Sequence, residues 1–137
     1  AHLGKPDAKE ALRSKVLGGA KFVQTQYCFD HDTVKAYAET LQQCRDFDDC
    51  TFLVGIGPLA STKQADWMRK NLWGVNIPDE LIERLDKSTD PSAEGLLICE
   101  ELIGKMMEMP AISGVHLMGP NCEKKSAEII SRFVTRA

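Results

Sequence analysis

Three groups of residues carry side chains or turns suited to holding a small molecule. They are Gln24-Thr25-Gln26-Tyr27-Cys28-Phe29-Asp30, Gly55-Ile56-Gly57-Pro58, and His116-Leu117-Met118-Gly119-Pro120-Asn121. Each ends a short apolar run, and in parallel α/β proteins chemistry collects at the carboxyl ends of strands. Gln26 is the most informative residue. Its carboxamide offers both a donor and an acceptor, the mixed edge that a heterocycle such as a pterin requires. The same side chain can instead cap loop backbone groups, and spacing alone leaves both readings open.

The remaining candidates read more plainly. Gly55, Gly57 and Pro58 either let backbone approach a planar ligand or make a sharp turn. Gly57 is followed by Pro58, Leu59 and Ala60, so this is neither a dinucleotide fingerprint nor a phosphate-binding loop. His116 sits inside an apolar run and reads as a buried, hydrogen-bonded structural histidine. His2 and His31 are not in ligand spacing with it, and no metal site is expected. Cys28 has no assigned base and reads as a core or loop thiol. Asp48-Asp49 and Glu100-Glu101 read as solvated faces. Trp67 and Trp73 are expected to pack the outer helical layer or to rim a site. No catalytic residue is assignable.

The bulk properties narrow the class. The chain has 137 residues, enough for one domain with a real core. Hydrophobic residues make up 43% and charged residues 27%, ordinary values for a soluble globular protein. The net charge of -3 and the sequence pI of about 5.6 offer no nucleic-acid surface. No apolar run approaches a bilayer span, and Ala-His-Leu-Gly-Lys-Pro at the start lacks the apolar region of a signal peptide. Five cysteines at wide spacings, with no Cys-x-x-Cys pair, predict reduced thiols and a cytoplasmic location.

The elements that must position these groups alternate. Residues 8 to 18 read as a helix ending at Gly18-Gly19. Lys21 to Gln26 reads as a buried strand. Asp30 and Asp32 can cap a helix with Val34, Tyr37, Ala38, Leu41 and Cys44 on one stripe. Arg45 to Asp49 reads as a loop, and Thr51 to Ile56 as a second strand that Gly55, Gly57 and Pro58 break. Ser61 or Thr62 can cap a helix carrying Ala65, Met68 and Leu72. A short helix from Pro78 presents Leu81, Ile82 and Leu85. A longer one presents Leu96, Leu97, Ile103 and Met107. The third strand is Gly114 to Met118, and the last helix presents Ala127, Ile130, Phe133, Val134 and Ala137. Continuous apolar strands between helices predict a parallel sheet. Three such strands leave two bare edges, a liability that a partner or the rest of a barrel would remove.

On these motifs the chain resembles the methylenetetrahydrofolate reductase family, from about His2 to Phe133. The strongest stretch runs from Lys15 through Gly19-Ala20 to Thr25-Gln26 and Phe29-Asp30. Gly55-Ile56-Gly57-Pro58-Leu59 with Lys63-Gln64-Ala65, Gly74-Val75-Asn76-Ile77-Pro78, and Gly114 to Asn121 are similar to later parts of the family's barrel. The resemblance implies an α/β fold: the C-terminal part of a (β/α)8 TIM barrel, about three parallel strands with covering helices, as one partial domain over 1–137. It implies a flavoprotein that passes hydride from a reduced nicotinamide through FAD (FMN remains open) to 5,10-methylenetetrahydrofolate. By resemblance Gln26 would hydrogen-bond the pterin of the folate substrate, and Lys15 would lie near the flavin phosphates. Met68 would stand where the family has an aromatic residue against the bound folate or nicotinamide. Phe29 and Tyr27 would wall the pocket.

Three departures matter. Ala8 stands where the family has a carboxylate, with Asp7 out of step. Met118-Gly119-Pro120-Asn121 replaces the usual Tyr-Thr-Leu-Asn. The family's first five strands, which carry its acidic residues, have no counterpart here, so the resemblance supplies no general acid. The resemblance thus implies flavin-dependent reduction within a longer chain or assembly. The alternative is a non-catalytic or split accessory subunit that binds folate or completes a partner's barrel, with association expected either way.

Overall fold

The structure is a computed structural model and describes residues 5–134. His2 and Ala137, named above, lie outside the described residues. The order is α1 (Ala8–Leu17), β1 (Phe22–Tyr27), α2 (His31–Gln42), β2 (Thr51–Ile56), α3 (Thr62–Asn71), α4 (Asp79–Lys87), α5 (Pro91–Met107), β3 (Gly114–Leu117) and α6 (Glu123–Val134). The expected loop at residues 45 to 49 instead contains a 3₁₀ turn, Arg45–Phe47. Cys44 caps that turn and is not part of the α2 stripe.

The three strands form one parallel sheet in the order β1-β2-β3. Phe22 pairs with Thr51, Leu53 with Gly114, and Gly55 with His116. The sheet is open, and with its helices it is part of a TIM-type barrel. Even in the central strand, burial alternates. Phe52, Val54 and Ile56 are buried, while Thr51 is exposed and Leu53 half-buried; Gly55, which has no side chain, is buried between its neighbouring strands. The helices therefore cover one face of the sheet, since successive side chains point to opposite sides. Val54 and Ile56 join Val34, Ala38, Leu85, Ile98, Leu102 and Met106 in the main core. Burying one such side chain contributes about 1.5–3 kcal/mol. A second cluster, Leu12, Tyr37, Leu41, Phe47, Cys50 and Phe52, fastens α1 to α2.

Helix starts follow their capping residues. Ser61 Oγ accepts from Gln64 N at 3.1 Å, and Gln64 Oε1 accepts from Ala60 N at 2.6 Å. This reciprocal pair is a variant of the capping box. Asp90 caps α5, with Pro91 in its first turn. Arg84 ties α4 to α5 through Glu94 and Glu101. Partly exposed pairs of this kind contribute at most about 1 kcal/mol each, so the apolar core sets the packing.

The phase of two helices differs from the expectation. In α5, Leu97 and Met107 are exposed, and Ile98, Cys99, Leu102 and Met106 are buried along with the expected Ile103. In α6, Ile129 is the buried residue, Phe133 is half-buried, and Ala127, Ile130 and Val134 are exposed. Both helices carry apolar residues on more than one side, so their own spacing does not fix their rotation. β1 was expected to be buried, but Phe22 is 52% exposed because β1 is an edge strand. Trp67 and Trp73 do not pack the helical layer: both rings are mostly exposed.

Asp30, the last residue of the first motif, has a structural task. Its Oδ1 accepts from Asp32 N and Thr33 N, and its Oδ2 accepts from Thr33 Oγ1 at 2.8 Å and Asn76 Nδ2 at 3.1 Å. It caps α2 and ties that helix to the segment before α4. Partial burial acts to raise its pKa, but the hydrogen bonds outweigh burial and hold it below the usual aspartate range. A depressed carboxyl pKa gives stability that is present above the unfolded value and lost as pH falls through the folded one. Asp30→Ala is therefore expected to cost about 1–2 kcal/mol at neutral pH. That gap should narrow below about pH 4, near the unfolded aspartate pKa. Urea midpoints at pH 7 and pH 3 check this, and an equal gap at both would refute it.

Candidate functional site

The carboxyl ends of β1 and β2 meet at a bulge, beside the regular end of β3. The β1–β2 register shifts between Gln24 and Tyr27. There the Thr25 hydroxyl replaces a ladder bond, accepting from Gly55 N at 2.8 Å and donating to Gln26 O at 2.8 Å. Thr25 is the one buried polar residue among the described residues. Sequence reasoning gave it no role, although its position beside Gln26 was a usable signal. A Cβ on Gly55 would stand 2.7 Å from Thr25 O and 2.9 Å from Gln26 O, with Met118 Cε at 2.5 Å. Gly55 thus belongs to β2 and permits a close approach of strands, and the turn begins only at Gly57.

Gln26 is half-buried, and its Oε1 accepts from Tyr27 N at 2.9 Å. The capping role left open above is therefore present. It uses one lone pair and leaves the amide donors for other work. Cys28 Sγ lies 3.3 Å from Thr25 Oγ1 and 3.2 Å from Gln26 O. Burial pushes its thiol above the usual range, so it is a part of the bulge rather than an activated nucleophile. His116 is half-buried, not buried, and among the described residues its ring has no hydrogen-bond partner. In the register it stands beside Gly55, which has no side chain.

Beyond the strand ends is a cavity of about 350 Å³, a size within the range of small-molecule sites. Tyr27, the turn from Gly57 to Ala60, Gln64 and Met68 of α3, Met118 to Cys122, and Lys125 of α6 line it. All three sequence groups contribute. Of the expected substrate contacts, Met68 reaches the cavity wall. Gln26 stands next to lining Tyr27 but is not itself in the lining. Phe29 is 1% exposed, and its ring stacks on Tyr27 with centroids 5.8 Å apart. Tyr27 is thus the wall, and Phe29 supports it from behind.

Lys15 is elsewhere. It is exposed and lines a larger groove of about 460 Å³ with Lys5, Phe22, Gln24 and Trp73. Lys5 Nζ stands 4.3 Å over the Trp73 ring. This groove runs between α1 and the free edge of β1, so its size reflects an unpaired strand, and the strand-end cavity is the better candidate site. Two exposed lysines and two rings do not enclose a flavin, so these residues by themselves do not fit that cofactor. A third hollow of about 200 Å³ lies at the free edge of β3, between α5 and α6, with wholly apolar lining. Among the described residues no cluster of His, Cys, Asp or Glu is arranged to hold a metal ion. No described helix is long and apolar enough to cross a membrane.

Comparison with known proteins agrees with this geometry. The family model described as Methylenetetrahydrofolate reductase matches residues 5–134. A solved structure of an uncharacterized protein from Clostridium thermocellum, which binds two copies of 5-methyl-5,6,7,8-tetrahydrofolic acid, matches with a TM-score of 0.74 at 16% identity. The match covers 99% of this chain and 51% of that one, so the chain spans about half the length of that structure. At this identity the likeness is one of fold. No curated protein matches significantly.

Proposed function

Because the chain belongs to the methylenetetrahydrofolate reductase family, we propose that its strand-end cavity binds a reduced folate, and that the open sheet is one part of a longer barrel. The cavity carries the reading. It collects polar groups from Tyr27, Gln64 and Asn121 beside the thioether of Met68, and the Gln26 carboxamide accepts from the backbone N of the lining Tyr27. A flat heterocycle with donors and acceptors on one edge suits such a surface. A protein of similar fold binds 5-methyl-5,6,7,8-tetrahydrofolic acid, which supports the choice of ligand.

The edges support the second part. Of the eight exposed large apolar residues among the described residues, Phe22 and Trp73 line the β1-side groove, and Met107, Ile130 and Val134 line the β3-side hollow. Apolar exposure is thus concentrated where further strands and helices would join. The same polypeptide or a partner subunit would supply them.

Flavin-dependent reduction of 5,10-methylenetetrahydrofolate is the second reading. Family membership favours it; the groove at Lys5 and Lys15 does not by itself enclose a flavin, so the rest of the barrel would have to supply that site. Bound flavin would supply the hydride chemistry, with a reduced nicotinamide as donor and the acidic residues coming from outside the described half-barrel. Calorimetric titration of natively purified protein with 5-methyltetrahydrofolate, alongside its visible spectrum, separates the readings. Saturable folate binding without flavin absorbance supports a binding or accessory role. Folate binding with bound flavin that nicotinamide reduces supports the reductase. No folate binding in either form would remove both.

A further inference from the structure

The strand-end cavity has one charged side chain among its described lining residues, Lys125. Its ammonium donates to Ser92 Oγ at the start of α5, which holds it in place. Among the described residues it forms no ion pair. Arg13, Arg69, Arg84 and Arg132, by contrast, are each paired with carboxylates. The rest of the polar lining is neutral: the Gln64 and Asn121 amides, the Tyr27 hydroxyl and the Cys122 thiol. A lone, half-buried cation beside a neutral cavity gives it a positive potential that selects for an anion. Lys125 also lies in the first turn of α6, where the helix dipole has the same sign; Glu123 shares that turn but is exposed and outside the cavity lining.

A reduced folate is polarised in a complementary way. Its pterin is uncharged, and its opposite end is a glutamate with two carboxylates at neutral pH. We infer that Lys125 binds a carboxylate of this glutamate tail and so sets the direction of the ligand, with its pterin toward Gln26 and its tail toward α6. This inference rests on the folate reading. Ser92 acts through Lys125 by positioning its ammonium.

The test uses the natively assembled protein and two probes: 5-methyltetrahydrofolate, and 6-methyltetrahydropterin, which lacks the tail. Lys125→Met is expected to weaken the folate about tenfold or more, as loss of a charge-assisted hydrogen bond would, and to leave the pterin unchanged. Lys125→Arg should retain folate binding within about threefold, because the charge is kept. Added salt should weaken folate binding to the wild type more than to Lys125→Met. Equal weakening of both probes would mark Lys125 as merely structural and overturn the inference, as would unchanged folate binding by Lys125→Met. If the pterin proves too weak to titrate, the arginine variant and the salt dependence decide. Should the wild type bind neither probe, the folate reading itself falls, a result distinct from failure of the Lys125 assignment alone.

Discussion

Gly95→Ala should destabilise the fold by about 3 kcal/mol or more, a large effect for the addition of one methyl group. Local preference predicts the opposite, since alanine in a helix interior is favoured over glycine by about 1 kcal/mol. Tertiary contact reverses the sign. A Cβ at Gly95 would stand 1.7 Å from Leu59 O, 2.6 Å from Leu59 C and 3.1 Å from Leu59 Cα. These are backbone atoms, and no rotamer change relieves them. α5 would have to move away from the turn after β2, and that turn is one wall of the strand-end cavity. Gly104 in the same helix supplies the control. Nothing lies within 4 Å of its added Cβ, so Gly104→Ala should stabilise by up to about 1 kcal/mol. Urea denaturation of the two variants tests the pair, and equal stability of Gly95→Ala and wild type would show that α5 does not pack on Leu59 as described.

Gln26→Leu should weaken 5-methyltetrahydrofolate binding by about tenfold to a hundredfold, because it leaves polar groups of the ligand facing an apolar side chain. Stability should change little. The one hydrogen bond lost within the described residues is that from Tyr27 N to Gln26 Oε1 at 2.9 Å, worth about 1 kcal/mol. The bulge itself depends on the Thr25 hydroxyl and on Cys28 N donating to Gly55 O at 2.8 Å, and both remain. Affinity and thermal stability measured on the same preparations separate the two roles. If folate binds Gln26→Leu as it binds the wild type, Gln26 is a cap of the strand end and nothing more.

Much of the fold was legible in local chemistry. The bounds of β2, Thr51 to Ile56, followed from a short apolar run, and the start of α3 from the candidate caps Ser61 and Thr62, of which Ser61 holds the position. Asp30 and Asp32 marked a further helix start, and Asp30 is the cap, because an N-cap is an interaction between a residue and its own next turn; Asp90, which caps α5, was not singled out. The parallel sheet was also readable, since buried parallel strands write continuous apolar runs, and the resemblance of the strand-end motifs pointed to the family of barrels. These features depend on neighbours in sequence.

The features that were not legible depend on neighbours in space. α5 is apolar on several sides, and its rotation is set where Gly95 meets the Leu59 backbone 36 residues earlier (95 − 59). α6 buries Ile129 rather than the expected Ile130 because its contacts are with α5 and β3, while its other apolar side lies at the free sheet edge. Phe22 reads as a core residue and is exposed, since burial of an edge strand requires a neighbour that its own sequence does not contain. The candidate site divides in the same way. The sequence by itself determined which strand ends would carry it, because residue type and the close of an apolar run locate a carboxyl end. Only the tertiary structure decided that Thr25 fixes the bulge, that Tyr27 rather than Phe29 is the wall, and that Lys125 turns a neutral cavity toward an anion, because each depends on which side chains packing brings together.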